Sequence, residues 1–237
     1  MHKKWGQRIF FSLVLLAIFV GYPWYNVANP ADRTVARGLT PDGVMLAAQQ
    51  HLTLWGVSLA AAIIVGVVAG ILITRPKLRF AAPVVVNVVN IGQTVPSLAV
   101  LAIFMGILGM GFRTAVFALF LYSILSILRN TYAGINGIAP DILEAARGMG
   151  MSPLRILWRI ELPLALSVIM AGIRTASVVN VGAATLATFI AGGGLGTIIV
   201  TGLAVMRQQM FLTGAVMAAS LAVLLDYLLS ILEAETT

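Results

Sequence analysis

Residues 52–79 read LTLWGVSLAAAIIVGVVAGILITRPKLR. Positions 52–74 are almost all apolar or small, and the run ends abruptly at Arg75-Pro76-Lys77-Leu78-Arg79. About 20 such residues form a helix long enough to cross the hydrocarbon core of a bilayer, and Lys and Arg gathered at one end mark the side that stays inside. The rest of the chain has the same character. It is 60% hydrophobic and only 10% charged, with a mean hydropathy of +1.00, whereas a soluble domain carries about 25% charge. Surface of this kind needs lipid as its solvent, and in lipid the backbone must satisfy itself within helices. The fold class is therefore all-α integral membrane. The absence of cysteine excludes disulfides and thiol catalysis. The net charge of +7 falls in short clusters between apolar runs, which excludes a nucleic-acid-binding stripe.

Working outward, about six spans are expected: 8–26, 52–74, 81–110, 114–135, one starting at Pro163, and 210–232. A cleaved signal peptide competes for the first, but Gly21-Tyr22-Pro23-Trp24-Tyr25 is a poor cleavage site, so an uncleaved span with interfacial aromatics is favoured. Residues 27–50 read as a polar linker on the outer side, so that 1–50 form an N-terminal span with a periplasmic linker and 51–237 a core. With the N-terminus inside, the inner side holds Lys3, Lys4, Arg8, Arg75, Lys77, Arg79, Arg129, Arg147, Arg155 and Arg159. The outer side holds Arg33, Arg37, Arg113 and Arg207. That asymmetry puts both termini and the 139–162 stretch in the cytoplasm. Residues 182–206 are apolar but interrupted by Gly182, Gly192, Gly193, Gly194, Gly196 and Gly202. Glycine weakens a helix, so a re-entrant or broken segment is expected there in preference to a seventh span.

Residues 139–163 read APDILEAARGMGMSPLRILWRIELP. Pro140 and Asp141 suit a helix start, Gly148 and Gly150 a stop, and Ser152-Pro153 a second start. Two short helices joined by a glycine turn are expected, the second carrying Leu154, Leu157 and Trp158 on one face and Arg155 and Arg159 on another, with Pro163 opening the next span. Such an apolar face either meets a protein partner or lies on lipid headgroups.

The spacing Glu144-Ala145-Ala146, Gly150, Ile160, Leu162-Pro163 resembles the EAA loop of the permease subunits of ABC importers. The resemblance implies the type I ABC importer (MetI-like) helical bundle, in which the loop at 139–163 docks in a groove of the ATPase. Glu144, Ala145, Ala146, Gly150, Leu154, Trp158, Ile160 and Pro163 would then make the coupling surface. Residues 91–99, IGQTVPSLA, together with 171–176, 182–187 and 192–196, resemble the branch that imports glycine betaine, carnitine and choline. Methionine-type permeases share a similar Gly-rich run, so methionine or another small amino acid is the alternative substrate. The resemblance also implies the partners: two ABC ATPase subunits that bind the ATP and Mg, a second permease chain, identical or homologous, and a periplasmic or lipid-anchored substrate-binding protein. The location implied is the bacterial inner membrane.

A translocation path is expected where Pro96 interrupts the third segment. Proline removes the hydrogen bond to the Gly92 carbonyl and kinks the helix, and broken helices near the midplane are where transporters hold substrate. Gln93, Thr94 and Ser97 cluster there, with Asn87 and Asn90 one to two turns away, and Asn180 and Thr185 extend the polar lining. The competing reading makes these residues interhelical bonds. Arg174 and Asp226 lie inside spans, where lone charges are costly, and are expected to pair. No acid or metal cluster for catalysis is found, His2 and His51 being far apart, and no nucleotide-binding motif is present. The chain is thus not an enzyme and holds no cofactor or metal of its own. A stand-alone channel or secondary transporter is the remaining alternative of another class, and it would have no use for the 139–163 loop.

Overall fold

A computed structural model describes the backbone of residues 2–236 and the side chains of 10–233. Lys3, Lys4 and Arg8, used above for orientation, fall outside the described side chains. Eleven α-helices follow one another, with no strand among the described residues. Among the described residues, five helical stretches are long and apolar enough to cross a membrane: Phe10–Ala28, Pro41–Leu72, Phe112–Asn136, Pro153–Ile190 and Gln208–Glu233. A sixth arises if the bent pair Arg79–Thr94 and Ser97–Leu108 counts as one span.

The chain begins with α1 (His2–Ala28) and the short α2 (Arg33–Gly38). Here the structure departs from the expected linker. Asp32 caps α2 by accepting from the Val35 N–H at 2.8 Å, and Thr40 caps α3 (Pro41–Leu72) by accepting from the Gly43 N–H at 3.2 Å. Pro41 and Asp42 occupy the first turn of α3, where a missing N–H and a negative charge both suit the helix start. Residues 41–50 are therefore helix, and α3 is about 48 Å long. The Val35 N–H, followed by the nearby charge of Arg207, holds the Asp32 carboxyl below its ordinary range against an opposing desolvation. Arg207 lies 2.6 Å from it.

The centre of the molecule is α3, α6 (Phe112–Asn136) and α9 (Leu162–Ala184), with α6 packed between the other two. Small residues set the spacing. A Cβ on Gly70 would sit 2.6 Å from the Thr131 Cβ, and one on Gly172 2.5 Å from the Asn130 Cβ. Close approach through such positions is how helices associate where lipid removes the hydrophobic drive. A buried polar knot ties the three together: Asn180 Nδ2 donates to Ser58 Oγ at 2.9 Å and to Ser123 Oγ at 2.7 Å, and Trp55 Nε1 donates to Ser177 Oγ at 3.1 Å. The last helix, α11 (Gln208–Thr236), packs on α9 and carries α1 on its other side.

Pro96 does more than kink a span. The chain leaves α4 (Ala82–Thr94), passes through Val95 and Pro96 in extended conformation, and enters α5 (Ser97–Leu108) turned by 100°. The residue before a proline is pushed out of the helical region, so Val95 and Pro96 together form a break. The Gly92 carbonyl is not freed by it, because the Val95 N–H donates there at 3.2 Å.

Residues 182–206 are likewise broken. After α9 come a 3₁₀ turn over Thr185–Ile190, a glycine loop, and the nine-residue α10 (Gly196–Ala204). That helix is about 13 Å long, less than half a hydrocarbon core. The loop is fastened to α3. Gln50 Oε1 accepts from the Gly194 N–H at 3.0 Å, and Nδ1 of the buried His51 accepts from the Leu195 N–H at 3.3 Å.

Candidate functional site

The 139–163 region forms α7 (Pro140–Gly148) and α8 (Pro153–Ile156). Pro140 and Asp141 start α7 as expected from their chemistry. Its end is a Schellman motif: the Met151 N–H donates to the Ala146 carbonyl at 3.2 Å and the Gly150 N–H to the Arg147 carbonyl at 2.9 Å. That motif requires a left-handed residue at its turn, and Gly150 supplies it with φ +74°. No atom lies within 4 Å of where a Gly150 Cβ would be, so its role within the chain is conformational, and the space in front of it is open.

Pro163 does not open a separate helix. The chain runs from Pro153 through a wide π turn, Leu157–Glu161, directly into α9. The wider turn is the accommodation for a proline that cannot donate to the Arg159 carbonyl and would clash with it in a regular helix. Ile160 is half-buried in that turn. Ala146 is fully buried while Glu144 and Ala145 are exposed. Leu154 and Trp158 stand out at 69% and 67% exposure, joined by Met149 and Ile142.

Behind this surface, Arg75 in the turn that follows α3 meets Glu161 in the π turn at 2.5 Å, a contact the sequence reading missed. The pair lines a cleft of ≈ 490 Å³ with Arg79, Glu144 and Arg147. Glu161 is only 6% exposed, so the two partners are not equivalent. Arg75→Gln strands a nearly buried carboxylate, which costs about 3 kcal/mol. Glu161→Gln leaves a long guanidinium that reaches water, at about 1 kcal/mol. Thermal melts of the solubilised complex check this ranking; equal losses, or the reverse order, would rule out the asymmetry.

The path residues separate. Gln93 lines a half-open groove of ≈ 180 Å³ with Tyr122, Ser123, Ser126, Ala176 and Val179. Thr94 is exposed and donates to its own helix, to the Ile91 carbonyl at 2.7 Å. Asn87, Asn90 and Pro96 are exposed and Ser97 half-buried. Asn180 does not line the groove: it is fully buried behind it, with both amide hydrogens taken by Ser58 and Ser123. Thr185 donates to the Gly182 carbonyl at 2.7 Å. Arg174 Nε lies 3.0 Å from Asp226 Oδ1, and its Nη1 lies 2.7 Å from Glu233 Oε2. Glu233 was not anticipated, although it sits seven residues beyond Asp226, two turns along the same helix face.

Residues 62–237 match the family described as binding-protein-dependent transport system inner membrane component. The chain belongs to this family of transporter permease subunits. It is 45% identical over 188 residues to the choline transport system permease protein OpuBB of Bacillus subtilis (strain 168), covering 79% of this chain and 86% of that one. It is 46% identical over 183 residues to the carnitine transport permease protein OpuCD of Listeria monocytogenes, covering 77% and 80%. It is 41% identical over 231 residues to the osmoprotectant import permease protein OsmY of Salmonella typhimurium, covering 97% and 95%. In fold it is similar to a chain of the inward-facing MetNI methionine ABC transporter, with a TM-score of 0.71 at 22% identity, over 87% of this chain and 99% of that chain.

Proposed function

We propose that this chain forms the translocation path of an ATP-driven importer for quaternary-amine osmoprotectants of the glycine betaine, carnitine and choline type. The observation that carries the coupling half of this reading is the 139–163 surface. It is an ordered helix–turn–helix with Trp158, Leu154 and Met149 exposed, continuous with a membrane-crossing helix, which is the form a docking element for a separate motor needs. The substrate half is supported by the names of the relatives, which are choline, carnitine and osmoprotectant permeases.

In this reading the loop face is cytoplasmic, as are both termini. Two ATPase subunits, which bind the ATP and Mg, close on nucleotide and displace Glu144, Ala145, Ala146, Gly150, Leu154, Trp158, Ile160 and Pro163 as one body. Two permease chains line the path, and a binding protein delivers substrate from the other side. Gln93 and its groove are assigned to the lining, and Thr94, Pro96, Ser97 and Asn90, around the α4–α5 break, are assigned to the same path. Arg174 and Asp226, with Glu233, hold α9 to α11. Selectivity then rests mainly with the binding protein, since a shallow groove buries little of a small substrate.

The test is uptake of radiolabelled glycine betaine, carnitine, choline and methionine into proteoliposomes holding the whole complex. ATP-dependent uptake of one or more of the quaternary amines is expected. Methionine uptake alone would keep the permease and discard the osmoprotectant; uptake that persists without the ATPase subunits would sink the importer mechanism.

A further inference from the structure

Arg129 occupies an unusual place. It lies within α6, two turns before the helix ends at Asn136, inside a stretch apolar enough to cross a membrane. The ion pairs among the described side chains join Arg75 to Glu161, Arg174 to Asp226 and Glu233, and Arg207 to Asp32. Arg129 takes part in none of them. It is exposed, and the one hydrogen bond it makes is long, from Nη1 to Gln93 Oε1 at 3.4 Å. Near the end of the helix its long stem can carry the guanidinium to water, and with no carboxylate partner it offers its planar fork to an incoming anion.

Its neighbours supply the reason. Tyr122, Ser126 and Arg129 are spaced by four and three residues, which places them on one face of α6. Tyr122 and Ser126 line the 180 Å³ groove together with Gln93, the same Gln93 that Arg129 touches. The groove is thus lined by an aromatic residue, hydroxyl groups and the Gln93 amide, and the Arg129 guanidinium stands beside it, in contact with Gln93. A ring face attracts a quaternary ammonium, and a guanidinium binds a carboxylate through a planar two-pronged contact. The weak Gln93 contact is one that a carboxylate readily displaces.

We propose that Arg129 is the carboxylate anchor of the path, with Tyr122 facing the ammonium, so that this groove engages betaine-type zwitterions and lets choline, which has a hydroxyl in place of the carboxylate, pass without using the guanidinium. The proposal rests on the osmoprotectant reading above and deepens it. The ion-pair part of the contact is specific to one class of substrate, which separates it from a structural role for Arg129.

The experiment is maximal ATP-driven uptake by the reconstituted complex with saturating liganded binding protein, comparing wild type with Arg129→Gln and Arg129→Lys. Glycine betaine and carnitine uptake is expected to fall at least about tenfold in Arg129→Gln, the factor that 1.4 kcal/mol represents, while choline uptake changes less than about twofold. Arg129→Lys is expected to restore part of the betaine rate, because charge returns without the planar fork. Where the wild-type complex carries only the zwitterions, the loss in Arg129→Gln and partial recovery in Arg129→Lys are the supporting result, and equal rates in both variants overturn it. Parallel loss of betaine and choline, unchanged betaine uptake, or a wild type that carries choline alone overturns the anchor and leaves the osmoprotectant permease standing. A wild-type complex that carries none of the quaternary amines overturns both.

Discussion

Gly150→Trp is expected to reduce ATP-driven uptake to about one hundredth of wild type, a loss of about 2.7 kcal/mol in coupling. Two effects combine. The left-handed conformation of Gly150 costs an L-residue about 1–2 kcal/mol, which loosens the turn between α7 and α8. The indole would also project into the open space in front of the loop, where the ATPase docks in the proposed mechanism. Because nothing beyond its chain neighbours lies within 4 Å of the Gly150 Cβ position, the new side chain starts into open space and the permease is expected to purify folded. Its ATPase subunits are expected to be lost on size exclusion. Gly150→Asn separates the two effects, since asparagine visits the left-handed region with little strain; it is expected to keep about a third of the uptake or more. Wild-type uptake by Gly150→Trp would remove this loop from the coupling path.

Gly196→Ala carries the largest expected cost to the fold. A Cβ there would lie 2.6 Å from the Thr185 carbonyl carbon and closer still to its oxygen. Both are backbone atoms, held in a 3₁₀ turn that is itself fixed between α9 and the glycine loop, so no side-chain rotation relieves the clash. Overpacking of this kind costs about 3 kcal/mol at the upper end of the usual range. That is a fall of about 6–12 °C in the thermal midpoint of the solubilised complex. Gly182→Ala is the control. It lies near the end of α9 with nothing within 4 Å of its Cβ position, and is expected to stay within about 0.5 kcal/mol of wild type. Equal midpoints for the two variants would show that α10 does not seat against Thr185.

The apolar runs, the Schellman glycine and the pairing of Arg174 with Asp226 were legible because each follows from local chemistry: hydrophobicity over a fixed length, a required backbone conformation, and the cost of a lone charge in lipid. The start of α3 was legible in principle from Thr40-Pro41-Asp42, a capping residue followed by proline and acid, but the polar composition of 27–50 masked it. Other features depend on which side of a helix meets its neighbour. Asn180 has the same composition signal whether it faces a groove or a packed core. Only the positions of Ser58 and Ser123, 122 and 57 residues away, decide the matter. Arg75 and Glu161 are separated by 86 residues, and both looked like ordinary loop charges. The right-angled break at Val95-Pro96 is a further case: proline predicts an interruption, but the size of the turn is set by what α5 packs against, namely α6 and the 3₁₀ turn of Thr185–Ile190.

The continuous helical stretch from Pro153 to Ile190 has a mechanical consequence. Arg174, gripped by Asp226 and Glu233, stands about 24 Å along the rod from Trp158 and about 15 Å from Ala184, at 1.5 Å of rise per residue. The rod is also fastened at Ser177 and Asn180; with the ion pairs at Arg174 as its pivot it would be a lever with unequal arms. A stroke of about 4 Å applied at Trp158 would emerge as about 2.5 Å at Ala184, in the opposite direction. Opening at one face and closing at the other would then be a single rotation about one fulcrum, with no separate signal passed between the two ends.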